Sequence, residues 1–319
     1  MNEEFPNQQA PTGEKQESVK PFSSMSPVSA AFIALIGIFF LYQFGGALLT
    51  ILIFGLNIEK ADVNAMRLLT MGGQILLLLL PTLIFARHVY KENTSLILRT
   101  RIPSIKEIGI FTIGLILLTP LLQYYLYVQN YFLRNAGEFS PLIKKMLDLL
   151  DQLDKLVEQT YGNLLTSHSI FEASFIIFVV AVVPAICEET LFRGFVQKSF
   201  EQKLKPFWSI IITAIFFGLY HFNPYGLIAL IALGAFFGYA AYTSNSIFVP
   251  MSLHFINNFL AVLLFLILGK EELINTNVAK DNQLIPSLVG LAVLGVLFIS
   301  FLIFVKSNYH KFLSGKKEL

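Results

Sequence analysis

Three charged residues stand close together in Cys187-Glu188-Glu189-Thr190-Leu191-Phe192-Arg193-Gly194, just after the unbroken apolar run Phe175–Val183. An ionisable side chain at membrane depth costs about 2.5–3.5 kcal/mol on insertion scales, so its presence there points to function. Glu189 and Arg193 are four apart, share one face of a helix and can pair, which lowers the cost of burying both. Glu188 is turned about 100° away from Glu189 and is poorly placed for the same arginine. The two carboxylates therefore read as a strut, Glu189–Arg193, and a spare acid, Glu188, free to face a substrate. Desolvation favours the neutral form of a carboxylate, the direction a general base needs.

Two further pairs repeat the four-residue spacing: Phe217 with His221, and His254 with Asn258. Of the five histidines, only His221 and His254 fall inside predicted spans; His88, His168 and His310 sit at or beyond span ends. A lone intramembrane histidine is often an interhelical hydrogen-bonder. Two of them with an asparagine and an unpaired acid read as a site. Phe217 reads as site wall, and Asn257, rotated off the His254 face, as a bystander. Cys187 is the only cysteine, which excludes an intramolecular disulfide. A neighbouring carboxylate disfavours a thiolate, so Cys187 reads as a small packed residue.

These residues must be held by membrane helices. The chain has 319 residues, 55% hydrophobic and 14% charged. Its apolar runs approach or exceed the roughly 20 residues that cross a bilayer. The expected fold is all-α, a polytopic bundle of about eight transmembrane helices plus one amphipathic helix. The spans fall near 28–56, 68–88, 107–133, 170–187 continuing as a helix to 203, 207–222, 226–243, 247–268 and 285–305. Residues 1–27 read as a disordered polar tail and 306–319 as a basic one. A formal charge of +2 with no dense basic face argues against nucleic acid.

Basic residues cluster in the 87–106 loop, in 187–206 and after Lys306, which the positive-inside rule puts in the cytoplasm. An even number of spans then places both termini there. Ser140-Pro141 opens a further helix, with Leu142, Ile143, Met146, Leu149, Leu150, Leu153, Leu156 and Val157 at helical spacing opposite Asp148, Asp151, Asp154, Lys155 and Glu158. Over 140–161 this is an amphipathic extramembrane helix, ended by Gly162-Asn163. It reads as a surface helix, with membrane contact or cover for an opening as alternatives. Measured from a turn at Lys205-Pro206, Glu188 and His221 both lie about 24–26 Å along their helices, level with one another. His254, about 12 Å past the Ser244-Asn245-Ser246 turn, is harder to bring level, and a tilted or shortened hairpin, or a kink at Pro184, is the expected remedy.

Glu188-Glu189-x-x-x-Arg193, Phe217-x-x-x-His221 and His254-x-x-x-Asn258, in this order on successive helices, resemble the CPBP family. That family contains the type II CAAX prenyl endopeptidases and bacterial relatives, among them bacteriocin-processing and Abi self-immunity proteins. All three motifs are present without departure, across 184–259, about a quarter of the chain. The resemblance implies an all-helical intramembrane endopeptidase in a bacterial cell membrane. Its substrate would be a peptide or protein, with or without an attached lipid. It also implies that Glu188, assisted by His221, activates a water, while His254 and Asn258 stabilise the oxyanion. A divalent metal such as zinc is an alternative, held by Glu188, His221 and His254. No His-Glu-x-x-His helix is present, and the expectation leans to metal-free chemistry. Other classes remain open: a non-catalytic immunity or scaffold protein, or a proton-coupled transporter, although no repeated half-structure is visible.

Overall fold

The computed structural model describes residues 22–56, 61–268 and 283–314, without the side chains of 156–161, 163 and 313–314. Most of the tail expected at 1–27 and the end of the basic tail thus fall outside the described residues, as do the side chains of Leu156, Val157 and Glu158. Among the described residues nine helical rods follow one another and no strand occurs. They are α1 (Pro27–Phe54), α2 (Val63–Ile97, interrupted by a turn at Lys91–Asn93), α3 (Ile105–Phe139), α4 (Pro141–Leu165), α5 (Ile170–Glu201), α6 (Pro206–Tyr220), α7 (Leu227–Ser244), α8 (Phe248–Leu268) and α9 (Leu284–Ser314). Seven are long and apolar enough to cross a membrane, and α6 is a shorter apolar helix. The chain is a multi-pass, all-α bundle whose outer faces, such as Val289, Val293, Val296 and Ile303 on α9, are exposed apolar side chains suited to lipid.

One end of the bundle can be matched through contacts. Ser24 N–H donates to the Val89 carbonyl at 2.8 Å, so α1 starts where α2 ends. The Tyr309 hydroxyl donates to Glu107 at 2.6 Å, so α9 ends where α3 begins. The start of α1 and the end of α9 therefore lie at the same end as the 91–104 segment. The basic tail expected from Lys306 continues α9 as far as Ser314.

Helix α6 departs from its expected span of 207–222. It has 15 residues, about 22 Å against a hydrocarbon core of about 30 Å. Pro224 has no N–H to offer the Tyr220 carbonyl, and Phe222 takes φ 47°. The helix therefore stops at Tyr220, and Gln43 Nε2 from α1 donates to the stranded carbonyl at 3.0 Å. His221 becomes the residue that closes the helix, not one inside it. Irregular backbone at membrane depth is tolerated where it is buried in protein or lines a cavity. Here Gln129 of α3 donates to the Tyr225 carbonyl at 2.9 Å.

The 32-residue α5 carries two π turns, Phe178–Val182 and Thr190–Val196, on either side of Glu188-Glu189. Such wide turns gather at functional sites. Pro184 lacks the N–H that would meet the Val180 carbonyl, and Asn258 Nδ2 of α8 donates to it at 3.0 Å.

Helix α4 covers the far end of the bundle and outlasts its expected stop at Gly162-Asn163. Its last carbonyls find a donor in buried Arg67, whose Nε donates to the Leu164 carbonyl at 2.9 Å and whose Nη2 donates to the Thr166 carbonyl. Arg134 makes a two-pronged bond to Asp151, which also accepts from the Tyr225 hydroxyl at 2.6 Å. Leu142, Met146, Leu149 and Leu153 remain exposed, a face open to lipid. The bond from Arg134 holds the Asp151 carboxyl below its ordinary value, whereas burial and Asp151 itself push Asp154 up. A depressed carboxyl stabilises docking above its ordinary pKa and loses that contribution as pH falls through the depressed one. Docking of α4 should therefore weaken modestly below about pH 4, with the Asp154 shift opposing the loss. Asp151→Asn should bring the same loosening at neutral pH, read as faster amide exchange across 141–165 while α5 stays protected.

Candidate active site

Glu189 and Arg193 form the strut that their spacing predicts. Arg193 Nη1 donates to Glu189 Oε1 at 2.8 Å, with both side chains fully buried. Nη2 donates to the Gly234 carbonyl at 3.0 Å, and the guanidinium lies 4.3 Å from the Phe217 ring centroid, with Phe192 and Phe237 at 5.6 and 5.5 Å. One turn on, Gln197 Nε2 reaches the Gly238 carbonyl at 2.9 Å, so α5 and α7 run parallel in close contact. That approach requires glycine: a Cβ at 234 would lie 2.9 Å from Phe217 Cδ1 and 3.3 Å from Arg193 Nη2. Gly234→Ala should cost about 1–3 kcal/mol of stability through overpacking, visible as a lower midpoint of thermal unfolding in detergent.

His254 Nδ1 lies 2.8 Å from Glu189 Oε1, and its ring stacks on Phe237 at 5.6 Å between centroids. A carboxylate paired with Arg193 only accepts hydrogen bonds, so His254 carries its hydrogen on Nδ1. The depth difficulty at His254 is resolved at the turn. Ser244, Ser246 and Ile247 are buried, and a Cβ at Gly194 would lie 2.9 Å from Ile247 Cδ1. The α7–α8 turn thus sits recessed beside Gly194, well short of the α5–α6 turn. It is pinned there by the loop before α3: Ile247 N–H donates to the Arg99 carbonyl at 2.9 Å, and Ser246 Oγ to the Arg101 carbonyl at 2.6 Å. Arg99 in turn donates to the Arg193 carbonyl at 2.8 Å and pairs with Glu201.

Glu188 and His221 come level, as the helix lengths predict. His221 Nε2 is 3.8 Å from Glu188 Oε2. His221 Nδ1 is 2.7 Å from the Phe217 carbonyl. A carbonyl only accepts, so His221 also carries its hydrogen on Nδ1 and turns a lone pair toward Glu188. Glu188 Oε2 is buried and meets no protein donor. Two acceptors thus face each other across a gap too long for a direct hydrogen bond.

Both groups line a cavity of about 580 Å³. His254, Asn257 and Asn258 line it too, with apolar walls that include Val179, Leu233, Val262 and Phe265. Leu164 and Leu165, at the end of α4, close one side. Phe217 is wall, and its carbonyl also orients His221. Asn257 is more than the bystander that its angle suggests: its Nδ2 donates to Asn258 Oδ1 at 3.2 Å and helps fix that amide. Neither His88, His168 nor His310 lines the cavity.

The sequence reading missed Phe237, Gln43 and Gln74. Gln74 Nε2 donates to Glu188 Oε1 at 3.3 Å. The signal was available, since each glutamine is an isolated amide in an apolar helix, where such groups bond across to a neighbour. Among the described residues no three His, Cys, Asp or Glu side chains are grouped to hold a metal. His221 and His254 each keep an Nδ1 hydrogen on an oxygen, which leaves Nε2 of each as the atom that would bind one.

The helices that supply this constellation can be compared with known families. Residues 170–260 match the Rce1-like family of type II CAAX prenyl endopeptidases. The match is consistent with the CPBP family that the three motifs resemble, and it supports a place among membrane proteases that act on peptides or proteins. Comparison with curated proteins and with solved structures gave no match. The Rce1-like segment begins with α5 and ends within α8, so it holds Glu188, Glu189, Arg193, Phe217, His221, His254 and Asn258. The first four helices lie outside it, with Gln43, Gln74 and the Arg99–Arg101 clasp.

Proposed function

We propose that the protein is an intramembrane endopeptidase that hydrolyses a peptide bond with a water held between Glu188 and His221. The observation that carries this reading is the pair of facing acceptors 3.8 Å apart. A water about 2.8 Å from each donates one hydrogen to Glu188 Oε2 and the other to His221 Nε2. Its lone pairs then point away from both, toward a carbonyl carbon. As the new C–O bond forms, Glu188 takes the water's proton, and the carbonyl oxygen gains charge. Asn258 keeps one amide hydrogen on the Val180 carbonyl and has a second for that oxyanion. Neutral His254 offers a lone pair at Nε2, so it donates there only as an imidazolium, with Glu189 holding its other N–H. The C–N bond breaks as the proton on Glu188 passes to the leaving nitrogen, and the water's second hydrogen leaves the new acid through His221, giving a carboxylate and a protonated amine. No step runs through a metal.

The apolar cavity walls suit a hydrophobic or lipid-bearing peptide. The start of α1 and the end of α9 share one end of the bundle with Arg99, Arg101, Lys203 and Lys205, and that end is read as cytoplasmic. Purified protein in proteoliposomes should cleave members of a panel of quenched fluorescent peptides, with and without an S-farnesyl cysteine. The rate should be unchanged by excess chelator. A rate abolished by chelator and restored by zinc would overturn the metal-free scheme. Tight peptide binding without any cleavage would favour a binding or immunity role.

A further inference from the structure

We propose that Gln74 is a positioning residue for Glu188, supplied by a helix outside the protease-like segment. The proposal rests on the reading of Glu188 as the base. The Glu188 carboxylate has two oxygens with different surroundings. Oε1 accepts from Gln74 Nε2 at 3.3 Å, and Oε2 faces His221 with no protein donor of its own. A carboxylate held by one oxygen cannot swing about its last bond without losing that donor, so the amide fixes where the second oxygen points.

Three features separate this from an amide that merely joins helices. Gln74 is 6% exposed and lines the same cavity as Glu188. A buried amide without partners costs about 1–3 kcal/mol by mutational data, so an apolar residue would serve packing better. The amide is also not shared with a second structural bond, because Gln74 Oε1 is buried with no protein donor. Finally, the backbone is altered where Gln74 sits: the π turn Gln74–Leu79 begins at this residue, and such turns redirect side chains at functional sites. The chemistry of the group suits the task. A lysine at this position would fix Glu188 as the partner of an ion pair. A neutral amide orients the carboxylate and leaves it able to take up and release a proton.

The test compares Gln74→Met, which keeps length and removes the donor, with Gln74→His, which returns an N–H at similar reach. Both are assayed beside Glu188→Gln in proteoliposomes on the farnesylated and plain peptide panel. Gln74→Met should lower kcat about 10- to 100-fold, as a misplaced catalytic group does, with KM within about twofold. Its thermal midpoint should stay close to that of the wild type, and Gln74→His should recover part of the lost kcat. Unchanged kcat in Gln74→Met alongside an inactive Glu188→Gln would overturn the role of Gln74 alone. Loss of kcat and of thermal stability together, without recovery in Gln74→His, would also overturn it and make the residue structural. Full activity in Glu188→Gln would remove the base reading, and this proposal with it.

Discussion

Glu188→Gln should reduce peptide cleavage by about 10²–10⁴-fold, the range that a positioned general base contributes. The substitution keeps the shape of the side chain and replaces an oxygen acceptor by an amide. Glu188 makes no ion pair with Arg193, which is bonded to Glu189; its polar contacts are Gln74 at 3.3 Å and the gap of 3.8 Å to His221. Little folding energy depends on its charge, so the thermal midpoint should move by no more than a few degrees. The measurement is a rate in proteoliposomes set beside an unfolding curve. A variant that is stable and inactive meets the expectation. A variant that is stable and fully active means that the acid is a bystander in the cavity.

Arg193→Met should have the opposite profile, with failure of folding before any question of catalysis. The guanidinium is fully buried, bonded to Glu189 and to the Gly234 carbonyl, and enclosed by Phe192, Phe217 and Phe237. Removing it leaves the Glu189 carboxylate in the bundle with only His254 for company. Breaking a buried pair from one side costs about 3–5 kcal/mol, a large part of the stability of most domains. Folded protein should therefore fall sharply in detergent extracts. Replacing both partners, Glu189→Leu with Arg193→Met, should restore much of the folded yield, since an apolar pair of similar volume is often neutral. Activity should stay lost in the double variant, because His254 no longer has Glu189 to hold its Nδ1 hydrogen. Yield measured by size-exclusion chromatography, with cleavage measured on the same fractions, separates the two effects.

The strut, the level placement of Glu188 and His221, and the membrane class were all legible in the residues. Each depends on rules local to one helix or one hairpin: spacing by four, rise per residue, and the cost of charge in lipid. What escaped depends on contacts between distant parts of the chain. The recessed α7–α8 turn is held by Arg99 and Arg101, more than 140 positions earlier, through backbone carbonyls that carry no sequence signature. The stop of α6 at Tyr220 was half visible. Pro224 marks it, but Phe222 continues the apolar run past the end, and the amide of Gln43 that makes the stop tolerable comes from α1. Asn258 shows the same logic at Pro184, where a proline strands a carbonyl and an amide from another helix meets it. The amphipathic pattern of α4 was plain. Its extra turn to Leu165 depends on Arg67, a residue of another helix that the pattern within 140–161 does not reveal.

The most direct measurement is a double-mutant comparison of kcat for Glu188→Gln, His221→Ala and the two combined, in proteoliposomes on a single cleaved peptide. If one water is held by both side chains, the combined variant should be about as slow as the slower single one, because groups that act as a unit are not additive. A combined loss equal to the product of the single losses would mean that Glu188 and His221 act on separate steps, and a shared water would be contradicted.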